Sequence, residues 1–311
     1  MLSRFLRRDE SPAKARIGVA LGVQGMLAVR VEQPFGARPK LTAAMHQAVS
    51  SENDWPGSFR ALADSLSGSG VPTVVQVHTQ LASLLQLTLP DVPEAERASA
   101  LKFRARELSP IPLDDMALDY VEIPGMRMRG GEASGYCAVA RLSQMRALRD
   151  AVKESSLRLE AIDVKDMALR HILARVQKPE ENGALFFAGS HGARIIIARG
   201  DRLYLFRTSN LTAALLQNAQ PERIETLLLD IQRTLDFYDS NFTDPPPRQL
   251  WLMPGWGFMP SIESLLTGQF RFPVRALRLA EVLDGAEQLD ELPADLAALA
   301  VGAALRPSDA A

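Results

Sequence analysis

The stretch Pro221–Phe242 reads PERIETLLLDIQRTLDFYDSNF. Its apolar residues Ile224, Leu227, Leu228, Ile231, Leu235 and Tyr238 recur at spacings of three, four and seven. That rhythm draws one apolar stripe down an α-helix, with Glu222, Asp230, Arg233 and Asp236 falling largely elsewhere. Pro221 suits the first turn, where its missing N–H costs nothing. Asp244-Pro245-Pro246-Pro247 then forbids any continuation. RQLWLMPGW and FMPSIESLLTGQF follow, reading as a buried strand, a Gly/Pro loop and a short helix. A long half-buried helix feeding a strand that ends in a glycine loop predicts a layered α/β arrangement.

Upstream of this helix, GALFFAGSHGARIIIARGDRLYLFR predicts strand, Gly-x-x-Gly turn (Gly189, Gly192), strand, Gly200-Asp201 turn, strand. The same order opens the chain. Ile17–Gln33 predicts a hairpin about Gly22 and Gly25, a third strand falls near Ala43–Val49, a helix at Trp55–Leu66 and a buried strand at Pro72–His78. Between the copies the pattern predicts helices at Thr79–Leu89 and Pro93–Leu108, strands at Ala117–Ile123 and Tyr136–Leu142, a helix at Gln144–Ser155 and a strand at Leu157–Val164. A helix at Asp166–Val176 buries Met167, Leu169, Ile172 and Leu173, and the polar run Lys178–Asn182 marks a boundary. Pro293–Arg306 is a helix of small residues suited to close packing on a sheet. A duplicated meander followed each time by helix and strand predicts two ribonuclease-H-like halves facing a cleft. The domains expected are a basic tail at 1–15, a first half at 16–177 with a subdomain inserted at about 80–164, and a second half at 183–306.

Composition narrows the chemistry. The 311 residues suffice for two domains, and 47% hydrophobic with 23% charged residues is ordinary for a globular chain. A net charge of −2 gives no case for nucleic acid. The single cysteine, Cys137, excludes an internal disulfide and a thiolate cluster, and it reads as a small core residue. No apolar run approaches the ~20 residues that span a bilayer. MLSRFLRRDE combines Leu2, Phe5 and Leu6 with Arg4, Arg7 and Arg8, which fits either a solvated tail or a segment docking on a membrane surface or partner. Histidines 46, 78, 171 and 191 share no metal-ligand spacing, and Asp114, Asp115 and Asp119 read as a solvated turn. No GxSxG, GxxxxGK or CxxC motif is present, and no catalytic constellation emerges.

LRLEAIDVKDMALR (157–170), IQRTLDFYDSNF (231–242), the strand–loop–helix at 249–266 and ALAVGAALR (298–306) resemble the actin-like PilM family of type IV pilus assembly proteins. Within it they are most similar to the MshI proteins of mannose-sensitive haemagglutinin (MSHA) pilus biogenesis, and more broadly to the cytoplasmic domain of GspL. The resemblance covers nearly the whole chain from Ile17 on. It implies an actin-like ATPase fold, two halves with a small α/β subdomain in place of actin's own insertion. It also implies a cytoplasmic scaffold peripheral to the inner membrane, gripping the cytosolic N-terminal tail of a PilN-like inner-membrane protein, with an assembly ATPase as a further partner.

In nucleotide-binding relatives each half opens with a strand carrying an Asp before a glycine turn. The carboxylate holds metal and water, the turn's N–H groups cradle phosphates, and a later Gly-Gly loop holds the adenosine. Here Ala20 and Phe187 stand at the two Asp positions, and Pro254 and Trp256 flank the one retained glycine of the third loop, Gly255. An apolar side chain binds no Mg²⁺. Gly22, Gly189 and Gly255 are therefore expected to be degenerate nucleotide-loop remnants, in a pseudo-ATPase with no catalytic residue, metal or cofactor. The alternative is a working ATP and Mg²⁺ site whose nucleotide state regulates pilus assembly. Function is expected in a groove for an extended peptide beside the inserted subdomain, with Phe103, Tyr120, Met126 and Met128 as candidate pocket residues.

Overall fold

A computed structural model describes residues 14–307, apart from 24, 34–36, 127–132, 219 and 254–258. The first half begins with β1 (Lys14–Leu21), β2 (Gly25–Gln33) and β3 (Lys40–Ala48), an antiparallel meander. Helix α1 (Trp55–Ser65) leads to β4 (Pro72–Val77), which lies parallel to β1. The chain then leaves the sheet for β5 (Ala82–Thr88), α2 (Glu94–Ala105), β6 (Met116–Glu122) and β7 (Ser134–Arg141), and returns through α3 (Leu142–Glu154) to β8 (Arg158–Val164). After α4 (Lys165–Val176) the second half repeats the plan with β9 (Gly183–Gly189), β10 (Gly192–Arg199) and β11 (Arg202–Ser209). A short α5 (Ala213–Leu216), the long α6 (Pro221–Asn241), β12 (Leu250–Met253), α7 (Met259–Leu266), β13 (Val274–Ala276) and α8 (Ala294–Ala304) complete it.

The two large sheets share one topology. Their orders are β3-β2-β1-β4-β8 and β11-β10-β9-β12-β13, each an antiparallel meander extended by two parallel strands. These are the two ribonuclease-H-like halves that the duplicated pattern predicts, and the α/β arrangement that the actin-like resemblance implies. The third sheet, β5-β7-β6, is the small subdomain, closed on one face by α2, whose Leu101 packs with Leu87, Cys137 and Val139. In α6, Ile224, Leu227, Ile231, Leu235 and Tyr238 are buried as the stripe requires, while Leu229 is 53% exposed.

Three expectations change. Thr79–Leu89 is not a helix: its centre is β5, paired with β7. The strand at Leu157–Val164 does not belong to the inserted subdomain, because β8 pairs in parallel with β4 and forms the outer edge of the first sheet. The closing helix α8 is not part of the second half's layers. It lies across β1, β2 and β4 of the first sheet and packs on α4, which in turn covers the second sheet.

Two glycines make that crossing possible. A Cβ on Gly18 would stand 2.0 Å from the Ala300 carbonyl oxygen, and one on Gly302 would stand 2.3 Å from that of Ala168. Sheet, helix and helix therefore touch backbone to backbone, and an added methyl costs of order 1–3 kcal/mol of overpacking. The apolar cluster around this seam joins Ala20, Leu27 and Val29 of the first sheet to Ile196, Phe186 and Leu252 of the second. The small subdomain is braced to the second half as well. The Tyr136 hydroxyl donates to the Tyr204 carbonyl at 3.0 Å, its ring lies 5.0 Å from that of Phe206, and Met126 bridges to Phe242.

Candidate functional site

The two meander turns face each other across the helical seam. In the first, the Gly22 amide donates to the Gly25 carbonyl at 2.8 Å, a closed hairpin turn. Ala20, at the end of β1, is fully buried in the seam rather than open to a ligand. In the second, Phe187 is also fully buried, its ring 5.8 Å from the Lys165 ammonium. Gly255, Pro254 and Trp256 lie outside the described residues.

Helix α8 covers both turns with its first turn. A Cβ on Gly22 would lie 2.9 Å from Leu296 Cδ2. Across from it, the Ser190 backbone N–H donates to Asp295 Oδ2 at 2.9 Å, and the Ser190 hydroxyl donates to the same oxygen. Burial, then the neighbouring Arg194 charge, lowers the Lys165 ammonium, against the opposing pull of Asp166 and Asp295. His78 is likewise held below its ordinary value, first by burial and then by His191 and Lys165. Arg194 pairs with the buried Asp166 at 3.0 Å. Among the described residues no group of three His, Cys, Asp or Glu side chains is placed to hold a metal.

A second concavity lies on the other side of the first sheet's edge. It is a groove of about 820 Å³ between β8, the small sheet and the end of α8. One wall is β8 from Glu160 to Val164; the other carries Asp119, Tyr120 and Val121 of β6 with Tyr136 and Ala138 of β7. Its floor holds Met167, Arg170 and His171 of α4, with Arg306 beyond α8. Among the described residues β8 is hydrogen-bonded to a neighbouring strand on one side only, so its other edge presents unpaired backbone groups.

The polar groups of this floor are tightly set. The Arg16 guanidinium meets Glu160 at 2.8 Å and also donates to the Arg306 carbonyl, tying β1, β8 and the end of α8 together. His171 Nδ1 lies 3.1 Å from the Gly302 carbonyl and Nε2 lies 2.8 Å from Arg170 Nη2. Burial, reinforced by the Arg170 charge, pushes His171 down to about 3, so the ring is neutral with its proton on Nδ1. The 3.9 Å approach of that ring to Asp163 is thus no ion pair. Asp163 is itself raised by burial, an effect opposed by Arg306 at 3.6 Å. Its Oδ2 accepts no hydrogen bond among the described residues although it is buried at the groove's floor.

Of the four residues expected to line a peptide pocket, Tyr120 lines this groove. Phe103 does not: it stands on the outer face of α2, 60% exposed. Met126, paired through its backbone with Phe242, does not line this groove, and Met128 lies outside the described residues. Glu160, Asp163 and Arg170 lie in LRLEAIDVKDMALR and Arg306 ends ALAVGAALR, two stretches that carry the resemblance, and the fold brings them to one groove. Asp115, read as part of a solvated turn, caps α3 by accepting from the Ser143 amide at 2.8 Å. Cys137 is buried, its thiol pushed up to about 11 by burial, which suits an inert core residue.

No protein-family model and no curated protein sequence matches the chain. Solved structures do. The PilM–PilN type IV pilus biogenesis complex contains a chain 18% identical, matched over 95% of this chain and all of its own with a TM-score of 0.70. A Bacteroides thetaiotaomicron protein of actin-like ATPase fold and unknown function is 10% identical, over 89% of this chain and 95% of its own, with a TM-score of 0.50. The cytoplasmic domain of EpsL, an inner-membrane component of the Vibrio cholerae type II secretion system, is a looser likeness, 12% identical over 83% of this chain and all of its own at a TM-score of 0.46. The actin-like fold of the second is the fold of this chain as well.

Proposed function

We propose that this chain is a non-catalytic cytoplasmic scaffold of a type IV pilus assembly machine, PilM-like and of the MSHA type, working at the inner membrane. In this reading it grips the cytosolic tail of a PilN-like inner-membrane protein in the groove between β8 and the small sheet. The observation that carries the reading is the unpaired edge of β8 facing that groove. An extended peptide laid along such an edge completes the sheet through backbone hydrogen bonds, and pockets for alternate side chains supply selectivity. The likeness to a chain of the PilM–PilN complex supports the choice of partner. The apolar Ala20 and Phe187, in places where a metal-binding carboxylate would be needed, support a role without ATP hydrolysis.

The test is fluorescence polarisation with labelled peptides of the N-terminal tails of neighbouring bitopic pilus proteins. Saturable binding is expected, unaffected by excess ATP and weakened at least tenfold by Ala138→Arg, which places a long cation in the groove. Binding that survives Ala138→Arg and is lost instead on substitution around Trp251 would overturn the assignment.

A further inference from the structure

The edge of a sheet is a template for another strand unless charge, proline, brevity or cover blunts it. Several edges of this fold are blunted. β11 carries Arg202 and Arg207 and gives its Tyr204 carbonyl to the Tyr136 hydroxyl. β6 carries Asp119 and Glu122, and β13 is three residues long. β3 is different. It runs for nine residues, and from Leu41 to Val49 the chain reads LTAAMHQAV, with no Lys, Arg, Asp, Glu or Pro. Asp284 occupies its outer side only at the start, bonding to the Pro39 carbonyl at 2.9 Å and the Leu41 amide at 2.8 Å. From Ala43 to Ala48 the strand keeps regular register with β2, and among the described residues no strand lies on its other side. Ala43 and Met45 pack toward the core beneath α1 and Ala44 toward the seam, yet all three stay only half-buried.

The strand is neutral, but its ends are not. Arg38 and Lys40 stand at its start, Glu52 and Asp54 follow its end, and all four are exposed. A second copy laid antiparallel brings the basic end of each strand to the acidic end of the other. A parallel copy would set like charges together. We propose that β3 is an interface between two copies of this chain, paired antiparallel over Ala43–Ala48 about a two-fold axis. A two-fold contact is self-complementary, so the free N–H groups of each edge meet free carbonyls of the other. The two five-stranded sheets become one of ten strands, and the flanks of Ala43, Ala44 and Met45 are covered. β8 lies at the edge of the sheet opposite β3. Both peptide grooves therefore sit at the outer ends of the joined sheet, clear of the contact, and the interface does not depend on what the groove binds. A contact of this length belongs to the small, reversible class of interfaces.

Sedimentation velocity of the full chain, from micromolar to submillimolar concentration, is the measurement. A reversible monomer–dimer equilibrium is expected. His46→Lys combined with Ala48→Lys, both at exposed positions, should weaken it by about tenfold or more while leaving the melting temperature nearly unchanged. Arg38→Glu and Glu52→Lys form the decisive arm. Either variant alone sets like charges together at both ends of the pair, whereas one copy of each restores opposite charges at both. Each alone should be monomeric and an equimolar mixture should dimerise. Arg38 also meets Asp284 at 3.6 Å and Glu52 accepts from Gln144, so the melting temperature of each variant is measured alongside. The inference is overturned if the intact chain stays monomeric throughout, if the lysine variant dimerises as strongly as the intact chain, or if the folded charge variants associate no better mixed than apart. Tail-peptide binding should be the same in all of these variants, so failure of the β3 contact and failure of the groove are read separately.

Discussion

His171 sits between two helices with both ring nitrogens engaged, one toward Gly302 and one toward Arg170. Its value of about 3 in the folded protein lies well below the ordinary 6.5. The unfolded chain therefore binds the proton first as pH falls. The stability that neutral His171 contributes is complete above about pH 6.5 and is lost on acidification, by up to about 1.4 kcal/mol per pH unit until the folded value is reached. Asp163, raised by its burial, works in the opposite sense and softens the slope at the acid end. His171→Asn keeps a donor for the Gly302 carbonyl but cannot titrate. The melting temperature of this variant should fall less between pH 7 and pH 5 than that of the unaltered protein; equal slopes would rule the assignment out. Nothing in the sequence around His171 announces this role. A histidine in DMALRHILARV looks like any other helical residue until a helix from 131 positions away presents a carbonyl to it.

Helix α6 shows how far a pattern carries. Leu227→Ala and Ile231→Ala, on the buried stripe, should each cost about 2–5 kcal/mol, whereas Leu229→Ala, on the exposed face, should stay within about 0.5 kcal/mol. Urea denaturation of the three variants checks the contrast, and equal losses would mean that the stripe is misplaced. The period of this helix, and the repeated meander, were legible because each element buries one face at its own spacing. LASLLQLTL was not. An apolar run this short satisfies helix and strand spacing alike, and only pairing with β7 settles it as β5. The small residues of α8 foretold close packing but not on which sheet, since a Gly or Ala face is complementary to any flat backbone surface. The groove was anticipated as a region, beside the inserted segment, while its polar floor was not. Asp163 lies at the end of β8 and Arg306 just past α8, far apart in sequence, and the packing of α8 brings them together.

At the scale of the molecule the halves are clamped at several places: Asp295 to Ser190, Tyr136 to Tyr204, Met126 to Phe242, and the seam of α4 and α8 between the sheets. Millimolar ATP with Mg²⁺ is expected to leave the melting temperature unchanged. A ligand at 100 times its dissociation constant would add about 2.7 kcal/mol, enough to see by scanning fluorimetry, and an upward shift of several degrees would restore the nucleotide-binding reading.

The position of α8 also has a consequence for how the chain is made. β1, at Lys14–Leu21, is covered by α8, at Ala294–Ala304, so a sheet made early waits for a helix made much later. At about 5–20 residues per second, β1 and β2 wait on the order of ten seconds after β8 emerges with Ala20, Leu27 and Val29 uncovered. Until α8 follows, the newborn first half keeps this apolar face uncovered, and the docking of α8 is the event that closes it.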